Sequence, residues 1–257
     1  RIAEQYLGRI LTSTGTDIRS ISESSLFADV LLAPDRERQR FLNQRRIALQ
    51  LDFLYFLPRE DLSAPSSNWP VIATAAAGSL SSQIDIFSAQ DLDALSPELQ
   101  QRARIPLIDT EAAVPTSRSA EDRGMVVHSA APVTVLGHEG VLVGGILLNR
   151  NLDFIDTINA LVYLSDSAGE NRQGTATLFL DDTRISTNVR LFEDVRALGT
   201  RVSASVRNQV LNQGKTWLDR AFVVDDWYIS GYLPLTDSFG SRVGMLYVGF
   251  LEAPYQA

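Results

Sequence analysis

Few side chains in this sequence are equipped for chemistry, and their spacing narrows what they could do. The only imidazoles are His128 and His138. His138 stands in the turn GHEG, and one imidazole beside one acid is too small a set for a metal, which wants three or four ligands. His128 stands mid-strand in GMVVHSAAPV. It reads either as a satisfied strand histidine or as a pocket residue touching a small molecule. Asp181-Asp182 and Asp225-Asp226 are adjacent acids, but both pairs abut strand ends and read as solvated turn residues. Acids working as an acid–base pair would need a shared cleft. No G-x-S-x-G, H-E-x-x-H or phosphate-loop pattern occurs. With no cysteine there is no disulfide, thiolate metal site or thiol nucleophile. The expectation is a non-catalytic chain with no cofactor and no metal.

One group of residues is better suited to recognition. Arg184 and Ser186 end one predicted strand, Trp217 and Arg220 belong to another, and Trp227, Tyr228 and Tyr232 to the next. Antiparallel pairing brings such residues together. Aromatic walls with a guanidinium and a hydroxyl suit a small carboxylate, because arginine offers a two-pronged donor. The other reading is plain core filling, since Trp and Tyr commonly pack small sheet domains.

The elements that must position these groups follow from periodicity. The first 50 residues read as helix: Ile2, Tyr6, Ile10 and Leu11 recur at three- and four-residue steps, and Pro34 breaks or restarts the run. The charged stretch DRERQR reads as a solvated face. From Leu51 the period changes: LDFLYFLP, PVIATAAAGS and IDIF read as strands. Ser88-x-x-Asp91 is a helix start, and SPELQQRAR a short helix with Ser96 as cap and Pro97 in its first turn. GMVVHSAAPVTVLG and EGVLVGGILLN make a hairpin across GHEG. A helix over LDFIDTINALVYL is capped by Asn149 or Asn151. TATLFLDD is a strand, and TRVSASVRNQVLNQG a helix with Val202, Val206 and Val210 in line, stopped by Gly214. The hairpin WYISGYLPLTDSFGSRVGMLYVGF (227–250) closes the sequence. It echoes MVVHSAAPVTVLGHEGVLVGGILL (125–148): Val143-Gly144 matches Val243-Gly244, and Pro132 matches Pro234. The order in each half predicts two α+β modules in tandem.

Composition sets outer limits. The 257 residues are 45% hydrophobic, enough for a real core, and carry a formal charge of −8. That charge disfavours nucleic acid. The longest apolar run, VLVGGILL, is far below the ~20 residues that span a bilayer. The first residue is Arg1 rather than Met, so the expectation is a soluble piece of something longer.

RISTNV (184–189), RALGTRVSASV (196–206), WLDRAFVVDDWYISGYLPL (217–235) and VGMLYVGFLEAPY (243–255) are similar to the membrane-proximal part of double-Cache sensor domains, of the Cache 3/Cache 2 fusion type. RGMVVHSAAPV (123–133) resembles the strand that closes the distal module there. The resemblance implies an α+β fold in which a long N-terminal helix (1–50) precedes two tandem PAS-like modules, each a mostly antiparallel sheet flanked by helices. The distal one would span 51–165 and the proximal one 166–252, with 253–257 a stub leading to a transmembrane helix. It further implies the periplasmic signal-sensing part of an inner-membrane histidine kinase, a homodimer through the N-terminal helix, bound by a small carboxylate, a polar metabolite or a partner protein. The alternatives are a chemoreceptor ectodomain or a free periplasmic binding protein. In such sensors ligands more often occupy the distal pocket. Its widespread amino-acid-binding motif is not evident here, and the distal candidates are Asp52, Tyr55, Trp69, Asp109 and His128. Asp52 and Tyr55 cannot share one face of a regular strand.

Overall fold

The computed structural model describes residues 1–165, 174–224 and 226–251. The expected module boundary after residue 165, the stub 253–257 and Asp225 lie outside the described residues. The architecture is α+β, a long N-terminal helix with antiparallel sheets flanked by helices. The chain forms two compact units.

The first unit comprises Leu7–Leu99 and Met125–Leu147. Helix α1 (Ile2–Ser22) ends where Ser24 caps α2 (Ser25–Leu31), its hydroxyl accepting the Phe27 N–H at 3.1 Å. Pro34 then opens α3 (Asp35–Ala48), as its fixed φ suits a helix entry. The buried line on α1 is Ala3, Leu7, Thr14, Ile18 and Ile21; the expected stripe of Ile2, Tyr6, Ile10 and Leu11 is half-buried beside it. Strand β1 (Phe53–Pro58) leads to α4 (Pro70–Ala76), β2 (Ser81–Phe87), α5 (Ala89–Leu95) and α6 (Pro97–Ala103). The alanine-rich PVIATAAAGS is therefore helical, not the expected strand: proline occupies its first position, and alanine favours helix over sheet. Ser88 and Asp91 close a reciprocal capping box on α5.

Beyond the two-residue strands β3 (Ile105–Pro106) and β4 (Ala120–Glu121) come β5 (Gly124–Val133) and β6 (Gly140–Leu147). The first sheet runs β1-β6-β5-β2. Phe27, Ile18, Leu31 and Leu42 pack with Ala131 and Leu142 on one face of it. Phe53 and His128 lie on the other, in one row through Gly145. A Cβ on Gly145 would sit 1.8 Å from the Val127 carbonyl and 2.7 Å from the Phe53 ring, so only glycine fits that row.

The second unit holds Arg1–Tyr6, Gln100–Gly124 and the chain from Leu148. Helix α7 (Leu152–Ser165) is capped by Asn151, whose Oδ1 accepts the Phe154 N–H. Asn149 instead donates to the Ala103 and Arg123 carbonyls. Then come β7 (Gly174–Leu180), β8 (Thr183–Thr187), β9 (Arg190–Phe192), β10 (Val195–Arg196), α8 (Ala204–Arg207), β11 (Trp217–Val223), β12 (Asp226–Thr236) and β13 (Arg242–Leu251). The expected helix TRVSASVRNQVLNQG is shorter: Ser203 caps α8, a π-helical turn covers Asn208–Asn212, and Gly214 follows at φ +70. Val202, just ahead of α8, Val206 and Val210 are buried and join Tyr232, Met245 and Tyr247 in one core.

The second sheet runs β11-β12-β13-β7-β8. Both sheets thus repeat one scheme. A closing hairpin, β5–β6 or β12–β13, lays its last strand against the strand that opens the module, β1 or β7.

Candidate functional site

In the second unit Arg184, one of the two candidate arginines, is buried. A register shift between Leu178 and Phe179 leaves Arg184 opposite Phe179 and Ser186 opposite Leu178. Neighbouring positions on β7 face opposite ways, so the two side chains part. Ser186 is tied off, its hydroxyl donating to the Asn151 carbonyl at 2.8 Å. Arg184 points into the core at 1% exposure, with its Cζ 4.9 Å from the centre of the Phe179 ring. Trp217 pairs with Tyr232 and Tyr232 with Tyr247, so three aromatic residues form one row across β11, β12 and β13. The Tyr232 ring lies 4.7 Å from Tyr247 and 5.9 Å from Phe179. Tyr228, half-buried, packs against the same core.

Polar satisfaction within this cluster is uneven. Arg184 Nη1 donates to Thr200 Oγ1 at 3.0 Å, while its Nε and Nη2 have no partner. Trp217 Nε1 and the Tyr232 hydroxyl are likewise buried and unpartnered. The Tyr247 hydroxyl is satisfied by Thr175 at 2.8 Å. Burial pushes the Arg184 guanidinium below its ordinary pKa, against an upward push from Tyr232, Tyr247 and Tyr228. Burial raises the Tyr232 phenol to about 12, against the pull of Arg184, and raises Tyr247 further. Among the described residues no carboxylate pairs with Arg184. A buried ion without a counter-charge costs several kcal/mol. The open groups are guanidinium and indole N–H donors together with a phenol that can donate or accept, and Tyr232 is near enough to favour the charged form of Arg184.

Arg220 and Trp227 are not part of it. Alternation along β11 and β12 turns both to the opposite face, where Arg220 stacks 5.0 Å over an indole that is 46% exposed. Spacing alone grouped them with the core aromatics; the pairing register separates them.

The first unit holds a second polar cluster. His128 and Asp85, both fully buried, meet at 2.8 Å between Nδ1 and Oδ2. Trp69 and Phe87 stand edge-on to the imidazole at 5.3 and 4.9 Å between ring centres, and Phe53 is 6.1 Å away. The Asp85 carboxylate lies within hydrogen-bond reach of Nδ1, and Nε2 is buried with no partner. Tyr55 lies on the same face of β1 as Phe53, and burial, helped by the Asp91 charge, raises its phenol to about 12. Asp52 is spent on structure, accepting the Leu147 N–H at 2.7 Å. Asp109 is not brought together with these residues. It is exposed and belongs to the second unit.

Several partners escaped the sequence reading. Asp85 carried a signal, an acid inside the alternating apolar strand IDIF. Thr200 and Phe179 carried none, because their roles arise from register. His138 lies half-buried in the β5–β6 turn, and no group of three His, Cys, Asp or Glu comes together to hold a metal among the described residues.

Residues 146–257 match the family model described as single Cache domain 3. Solved structures are similar over nearly the whole length at low identity. The periplasmic domain of Vibrio cholerae LuxQ shares 13% identity, over 98% of this chain and 97% of that one, with a TM-score of 0.47. The ligand-binding domain of the Pseudomonas fluorescens chemoreceptor CtaA, in complex with L-isoleucine, shares 12% over 98% and 88%, with a TM-score of 0.42. That of the Pseudomonas aeruginosa PAO1 amino acid chemoreceptor PctB, in complex with L-Arg, shares 16% over 100% and 92%, at 0.40. No curated protein matches the chain at a significant level. No described helix is long and apolar enough to cross a membrane.

Proposed function

We propose that this chain is the extracytoplasmic signal-sensing portion of a transmembrane receptor, in the first instance a histidine kinase, and that its second module binds a small carboxylate. The match of residues 146–257 to a Cache domain supports the sensing role. The observation that carries the ligand class is Arg184, fully buried with two donors open, beside an unpartnered indole N–H and phenol. A carboxylate supplies the missing charge and acceptors together. The role is recognition: a ligand that prefers one arrangement of the module shifts its population, and that shift is the signal. Pairing of two copies through the N-terminal helix belongs to the same proposal, as does a chemoreceptor output in place of the kinase.

The test is a thermal-shift screen with acetate, propionate, pyruvate and succinate. A carboxylate at a hundredfold excess over its Kd adds about 2.7 kcal/mol, or roughly 5–10 °C in a domain of this size. Arg184→Met abolishes that gain. A hit that survives Arg184→Met moves the site elsewhere, with His128 next: its Nε2 is buried and without a partner, and His128→Phe then removes the response.

A further inference from the structure

The stretch Gln100–Gly124 is an excursion. It leaves the first unit after Leu99, packs as part of the second, and returns at Met125 on β5. Within the second unit it lies along the segment Gly199–Ala204. The Ile108 N–H donates to the Gly199 carbonyl at 3.0 Å, and the Ala204 N–H to the Ala112 carbonyl at 2.7 Å. Ala113 bridges to Ser203. Thr110 sits between these contacts and works in both directions. Its hydroxyl donates to the Ile108 carbonyl at 3.0 Å and accepts the Arg201 N–H at 3.0 Å.

The same segment grips Arg184 from its other side. The Arg184 N–H donates to the Thr200 carbonyl and the Gly199 N–H to the Arg184 carbonyl, while Thr200 Oγ1 accepts from the guanidinium. Gly199 and Thr200 therefore touch the buried cation on one edge and the excursion on the other. Two features leave the junction little slack. Gly199 takes φ +85, and a Cβ there would lie 2.0 Å from the Pro106 carbonyl. Ala112 is held at φ +64, a conformation that alanine seldom adopts. Charge locks the surroundings, with Arg201 and Arg207 both on Asp182 and the buried Glu121 held between Arg118 and Arg123.

We propose that this excursion couples occupancy of the Arg184 site to the first module, with Thr110 as the positioning residue. An anion drawn to Nε and Nη2 pulls on the guanidinium and, through the Nη1 bond to Thr200, shifts the segment that carries Thr200. Thr110 passes the shift to the excursion, whose C-terminal end runs directly into the strand that carries His128. Coupling is reciprocal, so loosening the excursion must also weaken binding at Arg184, although no excursion residue touches the anion. The proposal rests on the carboxylate reading of the Arg184 site.

Hydrogen exchange of the whole chain tests it, with and without acetate, propionate, pyruvate or succinate. The expected result is slowed exchange at 197–203, together with changes at 105–113 and at 125–131 on β5. Thr110→Val keeps the volume and removes both hydrogen bonds. It should weaken binding about fivefold, the worth of one ordinary hydrogen bond, and abolish the response at 125–131. Thr110→Ser keeps the hydroxyl and should restore both hydrogen bonds together with the response at 125–131, a readout that a merely structural role would not move. Protection at 197–203 with 125–131 unchanged, or a Thr110→Val protein that responds like the parent, overturns the coupling and leaves the ligand site standing. If none of the four anions protects 197–203 or raises the midpoint, the Arg184 reading fails and the coupling falls with it.

Discussion

Replacing Arg184 by methionine should not destabilise the ligand-free protein, although the side chain is among the most buried in the chain. Methionine keeps most of the aliphatic stem that packs in the core. What is lost is one hydrogen bond to Thr200, about 1 kcal/mol, and the stacking on Phe179, about 1–2 kcal/mol. Thr200 stays satisfied, since its hydroxyl also donates to the Ala197 carbonyl at 2.6 Å. What is removed is the penalty of a buried charge with no carboxylate partner, several kcal/mol. The balance runs from no change to about 3 kcal/mol of added stability, or up to roughly 6–12 °C in the melting midpoint. Urea titration measures it, and the slope should stay constant so that the midpoint reports stability alone. A loss of about 3 kcal/mol or more, the cost of breaking a compensated buried ion, would refute the reasoning. It would mean that the surrounding phenols and rings already balance Arg184, leaving nothing for a ligand to supply.

Acid should weaken the second unit through Glu121. Its carboxyl is buried, yet the hydrogen bonds and charges of Arg123 and Arg118 outweigh burial and hold it below its ordinary value. A lowered folded pKa means that the contribution is complete above the unfolded value of about 4.3 and lost as pH falls through the folded one. Glu121→Gln should flatten the acid limb of a stability-versus-pH curve, and an unchanged limb counts against the ion cluster. Arg220→Ala should cost under about 1 kcal/mol in urea titration and leave any carboxylate-induced thermal shift intact, because its stacking on Trp227 is exposed. Gly145→Ala should cost at least about 1–3 kcal/mol by the same assay, since its Cβ would drive into the Val127 carbonyl.

What the sequence disclosed depended on range. Local chemistry was readable: the Ser88–Asp91 capping box, the Pro34 restart, the Asn151 cap and the valine line of 202, 206 and 210 are short-range signals. The repeat between 125–148 and 227–250 was readable as well, and it gave the pairing of each closing hairpin. PVIATAAAGS misled because a short apolar run is compatible with either strand or helix until its neighbours decide. Candidate residues sorted by register, which no spacing rule contains. Arg184 and Tyr232 converge, Arg220 and Trp227 turn away, and Ser186 is diverted by one irregular pair on β7. Asp109 went astray for a larger reason: a whole segment between two strands of one unit packs in the other.

The repeated topology sharpens what the two polar clusters mean. Phe53 opposite Gly145 on β1 and β6 corresponds to Phe179 opposite Met245 on β7 and β13. In the first module that row continues to His128, while in the second it continues to Pro234. The second module's polar row lies two residues along, at Tyr247 and Tyr232, where the first module has Leu147 and Val126. One scaffold thus carries two different polar clusters on the same face, the second spread over both rows because Arg184 pairs with Phe179. The first leaves the His128 Nε2 without a partner beside an acid, and the second leaves guanidinium and indole N–H groups without partners. The fold fixes where a polar cluster is built, and the residues placed along two rows of a hairpin fix its chemistry.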